Sequence, residues 1–190
     1  MTTTTIIGKH HSAYQYLRRV SGTTIGLNQA ALAFHTDFAI SGHDVVIDMF
    51  KLTGVFPERT IACYPSFEGT NHRTPHWIKS GQFRETIELK DLPLEWIENF
   101  VISAVKNDTK ALYPNFGSIL HLAMFYAVSH GATKLILIGV DNTPSASAMY
   151  PDMIHHDYVR KHTAILVELF QKHGIDVEWL RENTSTLSNQ

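Results

Sequence analysis

The run Asn115-Phe116-Gly117-Ser118, an apolar segment over residues 119–128, Gly131, and then Lys134-Leu135-Ile136-Leu137-Ile138-Gly139-Val140-Asp141 decides the fold. A small-residue turn opens a helix, a glycine stops it, and an uninterrupted apolar strand follows and ends on a carboxylate. Residues 119–128 are apolar at nearly every position, which suits a helix packed on more than one side. Gly131 suits a C-terminal stop because glycine takes left-handed geometry at little steric cost. Residues 135–138 lack polar alternation, so the pattern predicts a parallel strand covered by helices on both faces, and we expect it to be the central strand. Ligands of open α/β sheets sit beyond the carboxyl ends of the strands, which makes Asp141 and the polar loop that follows candidates for ligand contact.

Working outward, residues 2–7 are β-branched and lead into Gly8-Lys9-His10-His11-Ser12 and a helical pattern over 13–20. This reads as a first βα unit, with Ser12 as the N-cap. Backbone N–H groups of Gly8, His10 and their neighbours, helped by Lys9, would face phosphate oxygens there; the alternative is ordinary punctuation between strand and helix. Residues 23–27 form a second strand ending at Asn28, whose amide either caps the short helix over 30–34 or reads a base or ribose edge. Further strands are expected at 37–40, 60–63 and 83–89, the last an edge strand, and further helices at 44–52 and 92–105. Residues 64–82 form a long loop, read either as a lid or as a surface insertion.

The stretch 142–151, which includes Tyr150, reads as a turn or flap. In the helix beyond it, Ile154, Tyr158, Ile165, Leu166, Leu169 and Phe170 share a face, and Gly174 is the stop. A last strand covers 175–180. The reading is α/β: a single-domain Rossmann-like fold over residues 1–181, with a mainly parallel open sheet flanked by helices, and a polar, disordered tail over 182–190.

Composition narrows the function. With 190 residues and 44% hydrophobic content the chain can bury one sizeable core. A formal net charge of −2 gives no electrostatic case for a nucleic-acid polymer, although a single nucleotide is compatible. The single cysteine, Cys63, excludes an internal disulfide framework and fits a reducing compartment. No signal peptide or membrane span is visible, so the expected location is cytoplasmic. Trp77 and Phe83 are candidates for a homo-oligomeric contact.

Three segments together carry a likeness: Ile6-Ile7-Gly8 with Ser12, Gly26-Leu27-Asn28-Gln29, and Gly117-Ser118 leading to Leu137-Ile138-Gly139-Val140-Asp141. In this order the chain resembles the bacterial CMP-sialic-acid-dependent sialyltransferases, and also the archaeal-type 6-hydroxymethylpterin diphosphokinases and their phage and bacterial relatives. The resemblance implies that Gly8 and Ser12 lie by the nucleotide phosphates, that Asn28 binds the nucleotide, and that the turn of Asn115, Gly117 and Ser118 reaches the donor. It also implies a general base at His155 or His156, and a hydroxyl from Tyr150 or Tyr158 on the leaving phosphate. The first turn departs from the family, reading Gly-Lys-His-His-Ser where Gly-x-Gly-Pro-Ser is usual.

His155 and His156 are adjacent near a helix start and project about 100° apart, so one can face the crevice while the other is solvated. A crevice-facing imidazole can take the proton of an acceptor hydroxyl; the alternative is a surface pair. His10, His11, Asp141 and His155 are a conceivable metal cluster, but no ligand-spacing motif supports one, and no metal site is assigned. His121, inside the apolar helix, reads as a packed and hydrogen-bonded histidine. No Gly-x-Ser-x-Gly elbow occurs.

The expected function is that of a nucleotide-dependent transferase moving a sugar from a nucleotide-sugar donor to a small-molecule or glycan acceptor, with a histidine base. Two alternatives stay open: Mg²⁺-dependent diphosphate transfer from ATP, with Mg²⁺ on Asp141 and Asp44 or Asp48, and a non-catalytic binder of a nucleotide-derived ligand. No cofactor is assigned outside the first alternative.

Overall fold

The computed structural model describes residues 1–41, 46, 49, 52–53, 59–62, 85–86, 118–141 and 157–181. Its strands are β1 (Thr3–Ile7), β2 (Thr23–Leu27), β3 (Phe38–Ser41), β4 (Arg59–Ala62), β5 (Glu85–Thr86), β6 (Lys134–Ile138) and β7 (Asp176–Leu180). A 3-10 helix (His11–Arg19) follows β1, and the described α-helices are α1 (Ala30–Phe34), α2 (Ile119–Ser129) and α3 (Asp157–Lys172). None of the described helices is long and apolar enough to cross a membrane.

The sheet order is β5-β4-β3-β2-β1-β6-β7, and every pairing is parallel. The expected α/β class with a parallel sheet is therefore what the chain builds. One expectation is corrected: β6 is not central. It is the last strand but one, and β2 holds the middle place. The apolar run in β6 has another cause. Leu135 and Leu137 face one core cluster while Ile136 faces the other with Ile138, so each side chain is covered wherever the strand stands in the order.

Right-handed crossovers explain the layers. The chain steps from β1 to β2 to β3 in one direction, which puts the 3-10 helix and α1 on one face, with Ala13 and Ala30 packed on Ile7, Ile136 and Ile138. From β6 to β7 it steps the other way, so α3 must take the opposite face. There Leu166 and Phe170 join Met124 and Phe125 of α2 over Ile6, Ile25 and Leu137. The reversal falls between β1 and β6, the topological switch point of the sheet.

The glycine stops behave as expected, with Gly131 at φ +87° and Gly174 at φ +79°. His121 is fully buried, with its Nε2 2.9 Å from Thr163 Oγ1. Thr163 spends its own proton on Val159 O, so it accepts from the imidazole, and the packed reading of His121 holds. Val46, Met49 and Leu52 are helical, within the helix expected at 44–52, and Thr53 is helical one residue beyond it. The long loop at 64–82, the helix at 92–105, the flap at 142–151 and the tail at 182–190 lie outside the described residues, as do Trp77 and Phe83.

Candidate functional site at the switch point

The carboxyl ends of β1 and β6 meet through two glycines. Gly8 N donates to Ile138 O at 2.9 Å, and His10 N donates to Gly139 O at 2.9 Å. A Cβ on Gly8 would stand 2.1 Å from Gly139 O, and one on Gly139, which has φ +61°, would stand 2.6 Å from Ala13 Cβ. Only glycine permits this approach, so the paired strands continue as a zipped double turn before they diverge.

That zipper spends the N–H groups of Gly8 and His10, and those of Ser12 and Ala13 go to His10 Nδ1 and His10 O. The expected cradle of backbone donors for phosphate is thus consumed inside the protein at these four positions. The N-cap is His10, not Ser12, and the segment that follows is 3-10 rather than α. The reason is a distant partner: the Ser12 hydroxyl donates to Asp141 Oδ2 at 3.0 Å. Ser12 has one hydroxyl proton and two acceptors in reach, since His10 Nδ1 lies 2.8 Å away. Ser12 is wholly buried and gives its hydroxyl proton to Asp141 Oδ2, an order unlike a Ser-His-Asp relay, where the serine proton goes to the imidazole. It is a buried clasp between the first turn and the end of β6.

Lys9, between the two zipped residues, is half-buried, and desolvation holds its ammonium below the usual lysine range. His11 stacks near His10, with ring centroids 4.2 Å apart. No group of three or more His, Cys, Asp or Glu side chains is gathered for a metal among the described residues.

Asn28, beyond β2, has φ +51° and does not cap α1. Gln29 occupies the cap position without a side-chain bond, while Ser41 at the end of β3 donates to Asn28 Oδ1 at 3.0 Å. The capping reading of Asn28 is therefore corrected. Its amide is held from the neighbouring strand end, in the left-handed backbone region that asparagine enters more readily than most non-glycine residues. Ser118 caps α2, its Oγ accepting from Leu120 N at 3.2 Å. α2 runs antiparallel to the sheet, so this cap lies at the same edge.

Thus Gly8, Lys9, His10, Ser12 and Asp141 form one contiguous group, with Asn28 and Ser118 along the same edge. Tyr158 belongs to the first turn of α3. Asn115, Gly117, Tyr150, His155 and His156 lie outside the described residues.

Two residues that the sequence reading missed stand close by. Arg181 follows the last residue of β7, and its guanidinium lies 3.7 Å from the Trp179 ring centroid, with its carbonyl bonded by Tyr16 Oη at 2.5 Å. Burial, then the charge of Arg160 in α3, lowers the Arg181 pKa, while Asp141 opposes the shift. No motif marks either arginine. The only clue in the sequence is a basic residue directly after the last strand.

No family model and no curated protein matches the sequence. Solved structures do match in fold. The sialyltransferase CstII from Campylobacter jejuni in complex with cytidine-5'-monophosphate is similar over 96% of this chain and 81% of that one, at 14% identity and TM-score 0.57. CstII in complex with CMP-3FNeuAc gives 12% identity, 96% and 82% coverage and TM-score 0.60. An alpha-2,3-sialyltransferase from the same organism, in apo form, gives 12% identity, 96% and 76% coverage and TM-score 0.56. The chain therefore has a sialyltransferase-like fold.

Proposed function

We propose that the protein binds a nucleotide-activated sugar across the carboxyl ends of β1, β2 and β6 and transfers the sugar to an acceptor hydroxyl. The observation that carries this reading is the crevice at the switch point, where the Gly8–Gly139 approach brings Lys9 and the His10-Ser12-Asp141 clasp to the edge that also carries Asn28. The likeness to CstII structures with cytidine nucleotides supports the same assignment.

In this reading Lys9 faces the phosphate and offsets the charge that develops as the bond between sugar and phosphate breaks. Ser12 and Asp141 fix the turn that carries Lys9. Asn28, braced by Ser41, presents its amide to the base or ribose. The acceptor oxygen forms the new bond to the anomeric carbon while the old bonding pair leaves with the nucleotide phosphate. His155 or His156 takes the acceptor proton, and Tyr150 or Tyr158 donates a hydroxyl to the leaving group.

The test is a thermal-shift screen against CMP, UMP, GMP, AMP, ATP and their sugar conjugates, each with and without Mg²⁺. Ligands that bind the native state raise the midpoint by mass action. A rise with a nucleotide sugar that needs no Mg²⁺, and that Asn28→Ala abolishes, is the expected result. No rise with any nucleotide would sink the reading, and a rise with ATP that requires Mg²⁺ would replace it by diphosphate transfer.

A further inference from the structure

We infer that Arg160 and Arg181 form an anion subsite at the outer end of the crevice and hold a carboxylate or phosphate of the ligand beside the Ser12–Asp141 clasp. The inference rests on the reading above and deepens it, because it names the group that a donor must present.

Topology brings the two arginines together. α3 runs antiparallel to the sheet, so Arg160 in its first turn lies at the carboxyl edge, where β7 also ends. Leu180 pairs with Ile138, so Arg181 stands level with Gly139 on the neighbouring strand. Trp179 and Arg181 are two residues apart, on the face of the sheet that α3 covers, and Trp179 packs against the core of that face.

The guanidinium is also restrained before any ligand arrives. Stacking on Trp179 fixes its plane, and the bond from Tyr16 Oη pins its backbone. No ion pair to either arginine forms among the described residues, whereas Arg19 and Lys134 of the same chain are both paired with acidic side chains. The mutual influence of Arg160 and Arg181 is repulsive. An anion placed between them would turn that repulsion into two attractive contacts, and a planar guanidinium suits a two-oxygen acceptor. Asp141 is the nearby fixed anion, and Ser12 already engages its Oδ2.

Calorimetric titration of the full chain with CMP and with CMP-3FNeuAc, at fixed ionic strength, tests this in the wild type, Arg160→Gln, Arg181→Gln and the double variant. Both side chains are exposed, so all variants are expected to fold, with unchanged circular dichroism as the control. Arg181→Gln is expected to weaken CMP-3FNeuAc binding by about tenfold or more. A parallel loss for CMP identifies the phosphate as the group held; a loss confined to CMP-3FNeuAc identifies the sugar carboxylate. Wild-type affinity for both ligands in the double variant would overturn the inference while leaving the proposed function standing. Should the wild type bind neither nucleotide, that function fails and the subsite is judged with inorganic phosphate and with N-acetylneuraminate, at ionic strength matched with chloride. A rise in midpoint with either anion that the double variant loses supports the subsite; no rise overturns it.

Discussion

The two edges of this one sheet treat their polar groups in opposite ways. At the amino-terminal edge, charges and hydroxyls cancel locally. Lys134 and Asp176, the first residues of paired strands, bond at 3.0 Å, and Asp37 accepts from Thr24 N and Thr24 Oγ1 at 2.8 Å each. Thr2 N donates to Thr133 Oγ1 at 3.1 Å. At the carboxyl edge, a lysine is desolvated, two arginines repel each other, an asparagine has positive φ, and a serine, a histidine and an aspartate are buried together. Among the described residues these unfavourable terms gather at the carboxyl edge, although His35, at the amino-terminal edge where α1 ends, also has positive φ, at +48°. Such terms persist where the surrounding fold imposes them, and their gathering at the carboxyl edge supports the proposed ligand site there.

The largest expected effect comes from glycine substitution at the crossing of β1 and β6, which contrasts with Gly131 though not with Gly22, whose Cβ would stand 2.0 Å from Thr3 O at the amino-terminal edge. Gly8→Ala forces a Cβ to within 2.1 Å of Gly139 O, a backbone atom that cannot move without parting β1 from β6. A destabilisation of about 3 kcal/mol is expected, which lowers the thermal midpoint by roughly 6–12 °C for a chain of this size. Gly131→Ala, at the other edge, meets nothing within 4 Å and pays only for φ +87°, about 1 kcal/mol. Equal losses in urea denaturation would remove the claim that the Gly8–Gly139 approach constrains the switch point more than a helix stop is constrained.

The clasp gives the next largest effect. Ser12→Ala leaves Asp141 and His10 without their shared partner, at a cost of about 2 kcal/mol, together with weaker nucleotide binding. Asp141→Asn keeps an acceptor for the hydroxyl and is expected to cost less. If Ser12→Ala and Asp141→Ala prove fully additive in denaturant unfolding, the hydrogen bond between them contributes nothing and the clasp is not a unit.

How far the sequence reveals each edge follows from how local the cause is. β6 was legible because a strand covered on both faces must be apolar at consecutive positions, β1 and β2 because short β-branched runs end there on turn residues, and Gly131 and Gly174 because a helix stop needs positive φ, with β7 directly after the second stop. The place of β6 across the sheet was not legible, since apolarity reports covered faces and not neighbours. The cap at His10 was hidden for a similar reason: Ser12 has the right chemistry for a cap, and only a partner 129 positions away draws its hydroxyl elsewhere. For Asn28 the sequence leaves capping and ligand contact both open, and only the approach of Ser41 from another strand takes its side chain away from α1. Arg160 and Arg181 belong to no motif, and only the crossover of α3 brings them together.

Lys9 should report the comparison through pH. Its folded pKa lies below the usual lysine value of 10.5, so between the two values the unfolded chain binds more protons than the native one, and the stability of the free protein rises with pH across that window. Affinity for a phosphate should fall over the same window as the ammonium is lost. Lys9→Met is expected to abolish both trends, to weaken nucleotide binding by about tenfold, and to raise the neutral-pH midpoint, because the desolvation of the ammonium is relieved. A pH-independent affinity in the wild type would remove Lys9 from the phosphate contact.

Lys134 supplies the smallest effect and the opposite sign. Its hydrogen bond and charge pairing with Asp176, aided by Glu178, raise its pKa above 10.5, so the pairing stabilises the fold fully below that value and is lost as pH rises through the higher, folded one. The two lysines therefore titrate on opposite sides of the same reference: the free protein gains stability as Lys9 discharges and then loses it as Lys134 does. Exposure and salt screening keep the Lys134 contribution small, and Lys134→Met should leave nucleotide affinity unchanged because the residue stands at the far edge of the sheet. Stability measured against pH in the wild type and the two single variants resolves the order. A Lys134→Met variant that loses nucleotide binding while keeping its fold would erase the functional distinction between the edges, because a charge paired at the amino-terminal edge would then be serving the ligand at the other.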